Sequence, residues 1–147
     1  ENEQGPEIVA EEMYHFYQAE QMMGFKMTNT GLQMVLDVAV PETIAENFPA
    51  IIHPFLAKNS LTIEDISHLI FHPGGKKIVQ LVESLFSDLG KNINDTKEIL
   101  RLYGNMSSAT VLYVLEQIMN KKPSKGEKGL MLSFGPGFTA QRILLEW

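Results

Sequence analysis

The apolar positions change period along the chain, and each change marks an element. Residues 8–17, IVAEEMYHFY, mix apolar and polar positions and fit a strand or a helix start; Tyr14, Phe16 and Tyr17 favour the strand. Residues 25–40, FKMTNTGLQMVLDVAV, are rich in β-formers, and the polar TNTG within them predicts a turn or bulge between two strand pieces. From Pro41 the spacing becomes helical, through Ile44, Phe48, Ile51, Ile52, Phe55 and Leu56. Pro49 and Pro54 interrupt it, which allows two short helices or one kinked helix. Thr62 and Asp65 predict a capped turn. SHLIF then reads as a short buried strand ending at His72.

After Gly74 and Gly75 the helical period returns, with Ile78, Leu81, Val82, Leu85 and Leu89 on one face and Gly90 as the stop. Asp95 and Glu98 have the spacing of an N-cap and its reciprocal partner, so a helix is expected from about Thr96 to Tyr103-Gly104. A further helix starts within NMSSA and runs to about Asn120, with Leu112, Leu115, Ile118 and Met119 as its apolar face. KKPSKGEKG is a solvated loop. LMLSF and FTAQRILLEW are two strands that Gly135-Pro136-Gly137 can join as a hairpin. Strands interleaved with helices predict an α/β layer fold with a mixed sheet, edged by antiparallel pairing and covered by helices.

The 147 residues fit one domain, 1–147. Residues 1–7 are polar and expected to fray. The net charge of −6 disfavours nucleic acid as a partner, since neutralising phosphates needs a basic face. No stretch approaches the roughly 20 apolar residues of a membrane span, and no charged-then-apolar leader opens the chain, so a cytoplasmic location is expected. Cysteine is absent, which removes disulfides, thiolate metal sites and any thiol nucleophile from these residues. His15, His53 and His68 lack metal-ligand spacing, so no metal is expected. The eight methionines are dispersed and suit core or pocket surface.

Three stretches could carry chemistry. In FHPGGKKI, His72 ends a strand before a glycine turn and a helix start, where ligands of α/β sheets bind and unpaired N–H groups meet anions. The plain alternative is a turn with two solvated lysines, Lys76 and Lys77. In YGNMSSA, Asn105 follows the glycine that closes a helix; it either caps the next helix or presents an amide N–H to a carbonyl oxygen. SFGPGF is either a hairpin turn or a pocket wall. The helix–Gly-Asn–helix run at 96–120 looks like a helix-turn-helix, but its second helix offers almost no base-reading side chains, which argues against DNA binding.

FHPGGKKI, YGNMSSATV and SFGPGFT, in this order, resemble the C-terminal half of a chalcone/stilbene synthase, a type III polyketide synthase with the thiolase-like fold. The resemblance runs from about TNTGLQMVLDVAVPETIAEN to the last strand. It implies an acyltransferase in which a cysteine takes an acyl group from coenzyme A, a histidine and an asparagine hold the thioester carbonyl of malonyl-CoA while it loses carbon dioxide, and the resulting enolate attacks the acyl-enzyme in a Claisen condensation. His72 and Asn105 resemble the histidine and asparagine of the Cys-His-Asn triad. Phe134, Gly135 and Pro136 resemble the loop that shapes the cyclisation cavity. Ser133 stands where plant members usually carry glycine, and Met34 where they carry a gatekeeper phenylalanine, so a plant starter and product are not expected. Gly74, Gly75 and Lys77 fall where the family's coenzyme A tunnel runs.

The resemblance places the nucleophile in an N-terminal half that this sequence lacks. The chain is therefore expected to be an excised C-terminal domain, inactive alone, with acyl-CoA and malonyl-CoA as substrates, no cofactor, and exposed apolar surface where the other half packs. Homodimerisation is expected. Two alternatives remain at this stage: a ketoacyl-synthase-type condensing domain served by a carrier protein, or a non-catalytic interaction domain retaining the fold.

Overall fold

The computed structural model describes residues 5–147; residues 1–4, most of the stretch expected to fray, lie outside the described part. Glu7 already belongs to strand β1, Glu7–His15. A separate hairpin follows, β2 (Met23–Thr28) and β3 (Gly31–Leu36), turning at the TNTG sequence. Helix α1 spans Val40–Lys58, β4 spans His68–Phe71, and α2 spans Lys76–Ser87. Helices α3 (Asn94–Tyr103) and α4 (Thr110–Met119) lead to β5 (Lys128–Gly135) and β6 (Thr139–Glu146). The main sheet has the order β1-β6-β5-β4; β4 and β5 are parallel and the other pairs antiparallel.

Alternation along the strands divides the core into two layers. Leu69, Phe71, Leu130, Leu132, Ala140 and Leu144 face α1 and α2. Ile70 and Leu145 face the opposite way, toward Ile99 of α3 and Val114 and Ile118 of α4. The continuous apolar run of β4 follows from this arrangement, because a strand covered on both faces needs no polar side.

Helix α1 is a single helix across both prolines, which settles the alternative left open by the spacing. Each proline leaves the carbonyl four residues earlier without its helical donor. Beside the second of them, Arg142 of β6 enters the core, 4 % exposed, and donates from Nη1 to the Ile51 carbonyl at 2.9 Å. Its guanidinium lies 5.1 Å from the Phe55 ring centre and 3.5 Å from Glu12, its partner across the β1–β6 pair.

Two helix expectations fail. Asp95 does not cap α3: the helix starts at Asn94, and Asp95, inside its first turn, accepts from Gln117 of α4 at 2.9 Å and from Lys121, just past the end of α4, at 2.7 Å. Glu98 pairs with Arg101 instead of reaching back. An acid on the first turn finds a stronger partner in a nearby ammonium than in a backbone N–H. On α4 the buried positions are Thr110, Val114 and Ile118, while Leu112 and Met119 are exposed. Ile118 and Leu115 do pack into that layer as expected, so periodicity, in a helix that is apolar on more than one side, found the covered face only in part.

Replacing Arg142 with Ala removes the donor to Ile51 and the packing on Phe55. Urea denaturation should register a loss of about 2 kcal/mol, and Arg142→Met, which keeps the apolar stem, should lose less.

Candidate active site

His72 follows the last residue of β4, and its N–H extends the parallel ladder to the Leu132 carbonyl at 2.9 Å. Just before it, the strand end is fixed by the buried Thr96 of α3, whose hydroxyl donates to the Phe71 carbonyl at 2.9 Å. The Gly74 N–H then closes back on the His72 carbonyl at 2.9 Å, and the Gly75 carbonyl accepts the Val79 N–H as α2 begins. A Cβ on Gly74 would make only ordinary contacts, 3.8 Å from His72 Cδ2 and from Ile78. The glycine is thus not demanded by the protein's own packing; what it keeps open is the space in front of the turn.

Asn105 arrives from the other helical layer. Gly104 closes α3 at φ 71°, a conformation that favours glycine. The Asn105 carboxamide then donates from Nδ2 to the Gly74 carbonyl at 3.0 Å and accepts the Ser107 N–H on Oδ1 at 2.8 Å. Thr110, also buried, ties the same loop by accepting from the Met106 N–H and donating to the Ser107 carbonyl, both at 2.8 Å. The local, turn-organising reading of Asn105 is seen directly, and the other stays compatible with the geometry. Its oxygen organises the turn before α4, and its amide nitrogen has a second N–H left for a ligand.

A cavity of about 260 Å³ lies between these parts. His72, Gly74, Asn105, Phe134, Pro136 and Met34 line it, so six of the residues singled out in the sequence converge. Gly75 and Lys77 border a neighbouring cavity of about 330 Å³, which shares Leu36, Gly74 and Ile78 with the first. Ser133 and Gly135 line neither. Ser133 alternates with Phe134 and so faces the other side of the sheet; Gly135 ends β5 opposite Thr139.

The β5–β6 turn acts as a mount as well as a wall. The Gly137 N–H donates to the Met23 carbonyl at 2.9 Å, holding the base of the β2–β3 hairpin over the cavity. That hairpin supplies Met23, Gly24, Phe25, Val35 and Leu36, none of which the three motifs contain, and Ile78 of α2 and Ser107 of the α3–α4 junction, which lie within two of those motifs, complete the lining. The signal available in the sequence was the alternation of the two strands around TNTG.

Burial holds the His72 imidazole below the ordinary histidine pKa. Its Nδ1 is buried and has no hydrogen-bond partner among the described residues, which leaves Nε2 as the ring nitrogen to meet a ligand. The site thus brings an imidazole and a tethered carboxamide to the wall of one cavity. Among the described residues, no three His, Cys, Asp or Glu side chains gather as a metal site, and no helix is long and apolar enough to cross a membrane.

The protonation of His72 should appear in stability. The unfolded chain binds this proton more tightly, so stability rises with pH between the depressed folded pKa and about 6.5. Denaturation of the isolated chain should show a loss as pH falls through that window, reduced in His72→Gln. The carboxylates held low, such as Asp65 and Glu127, contribute their own loss only as pH falls below about 4.5, and His72→Gln leaves that loss unchanged.

Residues 7–146 match the sequence model of "Chalcone and stilbene synthases, C-terminal domain". The chain is 31% identical over 143 residues to a putative chalcone synthase of Bacillus subtilis (strain 168), covering 97% of this chain and 39% of that protein. It is 32% identical over 142 residues to the 1,3,6,8-tetrahydroxynaphthalene synthase of Streptomyces peucetius subsp. caesius, covering 95% and 38%. Among solved structures, it superposes on the 1,3,6,8-tetrahydroxynaphthalene synthase of Streptomyces coelicolor A3(2), a bacterial type III polyketide synthase, with a TM-score of 0.86 at 26% identity, covering 97% of this chain and 41% of that one. The chain spans about two-fifths of the length of the curated relatives it matches.

Proposed function

Because the chain belongs to the chalcone and stilbene synthases, as their C-terminal domain, we propose that it supplies the histidine and asparagine of a malonyl-CoA-dependent acyltransferase. The nucleophile is a cysteine of an N-terminal half outside this sequence. The observation that supports this most is the convergence on one cavity of His72, from the end of β4, and Asn105, from the α3–α4 junction, tied together through Gly74.

The cysteine thiolate attacks the carbonyl of an acyl-CoA and expels the coenzyme A thiolate. His72 takes up the thiol proton, so the two groups form an ion pair that favours the thiolate. Malonyl-CoA then binds with its thioester oxygen between His72 Nε2 and Asn105 Nδ2. Loss of carbon dioxide leaves the bonding pair on the α-carbon, and the two donors hold the resulting enolate oxygen. That carbon attacks the acyl-enzyme thioester and returns the electron pair to the cysteine sulfur. An imidazole and a carboxamide suit this task because neither adds a carboxylate to repel the substrate.

Gly75 and Lys77 border the second cavity and suit the entry of the coenzyme A arm, with Lys77 toward its phosphates. Gly74 joins the two spaces. Within this reading the whole protein is a cytoplasmic homodimer acting without a cofactor.

The exposed faces of α3 and α4 fit the same picture. Leu102, Tyr103, Leu112 and Tyr113 are exposed together, and the two tyrosine rings lie 5.4 Å apart. A surface of this kind calls for cover, and we assign that cover to the N-terminal half. In sedimentation runs the isolated chain should self-associate at high concentration, and Leu112→Glu should return it to a monomer.

Malonyl-CoA decarboxylation by the full-length protein tests the chemistry. It should proceed there and be absent from the isolated chain, and His72→Gln or Asn105→Ala should each lower it by about a hundredfold or more. A full-length protein with no thioester chemistry at all would mark an interaction domain instead. Acceptance of carrier-protein thioesters in preference to coenzyme A thioesters would move it to the ketoacyl-synthase type.

A further inference from the structure

Behind the wall of the His72–Asn105 cavity, one aromatic ring is gripped from several sides. Phe16 follows the end of β1, is 3% exposed and lines neither cavity. Tyr14 meets its ring edge-on at 5.2 Å between centres and ties the pair to α1, donating its hydroxyl to Asn47 Oδ1 at 2.9 Å. Phe138 lies over its face at 3.9 Å, with the planes 6° apart. Phe134 packs against it at 6.2 Å and is met in turn by Phe71, the residue before His72, at 5.9 Å. Of these rings, Phe134 is the one that lines the cavity.

The backbone holds the same ring in place. The Phe16 N–H donates to the Phe138 carbonyl at 3.1 Å, and the Phe16 carbonyl accepts the Ala19 N–H at 3.2 Å. Phe138 has φ 43°, in the left-handed region that a residue with a Cβ enters at a cost. It follows Gly137 at φ 78°, so two successive left-handed residues turn the chain from β5 into β6. Such a residue persists where its surroundings over-determine it. Here the stacked ring and the N–H of Phe16 do so, and the turn fixes Phe16 in return.

We infer that Phe16 is a positioning residue for the acyl-transfer reaction: as a fixed backing to the Phe134 ring, it sets how bulky an acyl group the cavity admits. The inference rests on the acyl-transfer reading of the cavity and adds a residue that itself touches no substrate. Interiors are close-packed, so Phe134, with Phe71 and Phe16 against it, has no room to withdraw from the cavity. Truncating Phe16 opens that room, because the surroundings of a shortened core residue relax only in part. A core residue without this role would lower stability when truncated and leave the preference of the cavity as it was.

The test uses the full-length protein with acetyl-CoA and benzoyl-CoA as the small and the bulky starter, each isotope-labelled, and malonyl-CoA as the extender. Phe16→Ala should raise kcat/KM for benzoyl-CoA relative to acetyl-CoA by about tenfold. The gain should come from a lower benzoyl-CoA KM, with kcat for acetyl-CoA within about twofold of the wild type. Phe16→Leu vacates less space and should move the ratio the same way by less, which keeps the test valid if the alanine variant does not fold. Phe134→Ala should shift the ratio by itself; adding Phe16→Ala to it should then change the ratio by no more than about twofold, since residues that act through one another are not additive. Phe48→Ala, in the same core on α1 against Phe86, should lower the denaturation midpoint and leave the ratio unchanged.

A ratio within about twofold of the wild type in both Phe16 variants overturns the positioning role. So does an equal shift in Phe48→Ala, since the ratio then reports stability, and so do Phe16→Ala and Phe134→Ala effects that simply multiply. Malonyl-CoA decarboxylation by the wild type separates the two levels. With decarboxylation and an unmoved ratio, the positioning role alone falls. With no reaction of any thioester, the acyl-transfer reading falls and takes the positioning role with it.

Discussion

The carboxamide of Asn105 gives one N–H to the Gly74 carbonyl and accepts the Ser107 N–H on its oxygen. That contact joins two segments 31 residues apart, the turn after β4 and the junction between α3 and α4. The neighbouring geometry depends on it. It fixes the amide plane, so that the remaining N–H has a defined direction, and it holds the turn that carries His72. Thr96 and Thr110 support it from either side, each with a buried hydroxyl satisfied by a backbone group. A loosely held amide would cost entropy each time it met an oxyanion; a tethered one has already given that freedom up on folding.

The same design explains why the site sits where it does. A strand covered on both faces has to be apolar until it leaves the sheet, so the first position able to present a polar side chain is the one after β4. His72 holds that position. Its backbone stays in the ladder through the Leu132 carbonyl while its ring reaches the cavity. Burial then keeps the ring neutral in this chain. An opposing thiolate would shift the balance the other way, because a nearby negative charge favours the imidazolium. The isolated domain and a complete triad therefore differ in protonation as well as in completeness.

Much of the fold was legible because local rules and tertiary packing agreed. The β5–β6 hairpin, the TNTG turn and the Thr62–Asp65 capped turn appear where turn and capping residues placed them. The failures share a cause. The apolar face of α4 was right at Leu115 and Ile118 but wrong at Leu112 and Met119, because that helix is apolar on more than one side and periodicity cannot say which side the sheet covers. Asp95 was misassigned because Lys121, its actual partner, is remote in sequence. Arg142 passed unnoticed in a strand pattern, since nothing local announces that an alternating position faces the Ile51 carbonyl. Ser133 shows the converse: it stands next to a pocket residue, yet strand alternation turns it away.

The sequence by itself determined the order of elements, the chemistry available and the family, because turn residues, periodicity and three motifs are local properties that survive without neighbours. It could not decide which backbone groups Asn105 would bond, or that the hairpin around Met34 would be carried over the cavity. Those depend on which backbone groups come within 3 Å after folding and on the pairing register of two strands. The tertiary structure decided both, since a hydrogen bond between residues 31 positions apart, and a hairpin carried over a cavity by the turn of another, exist only when the layers are packed.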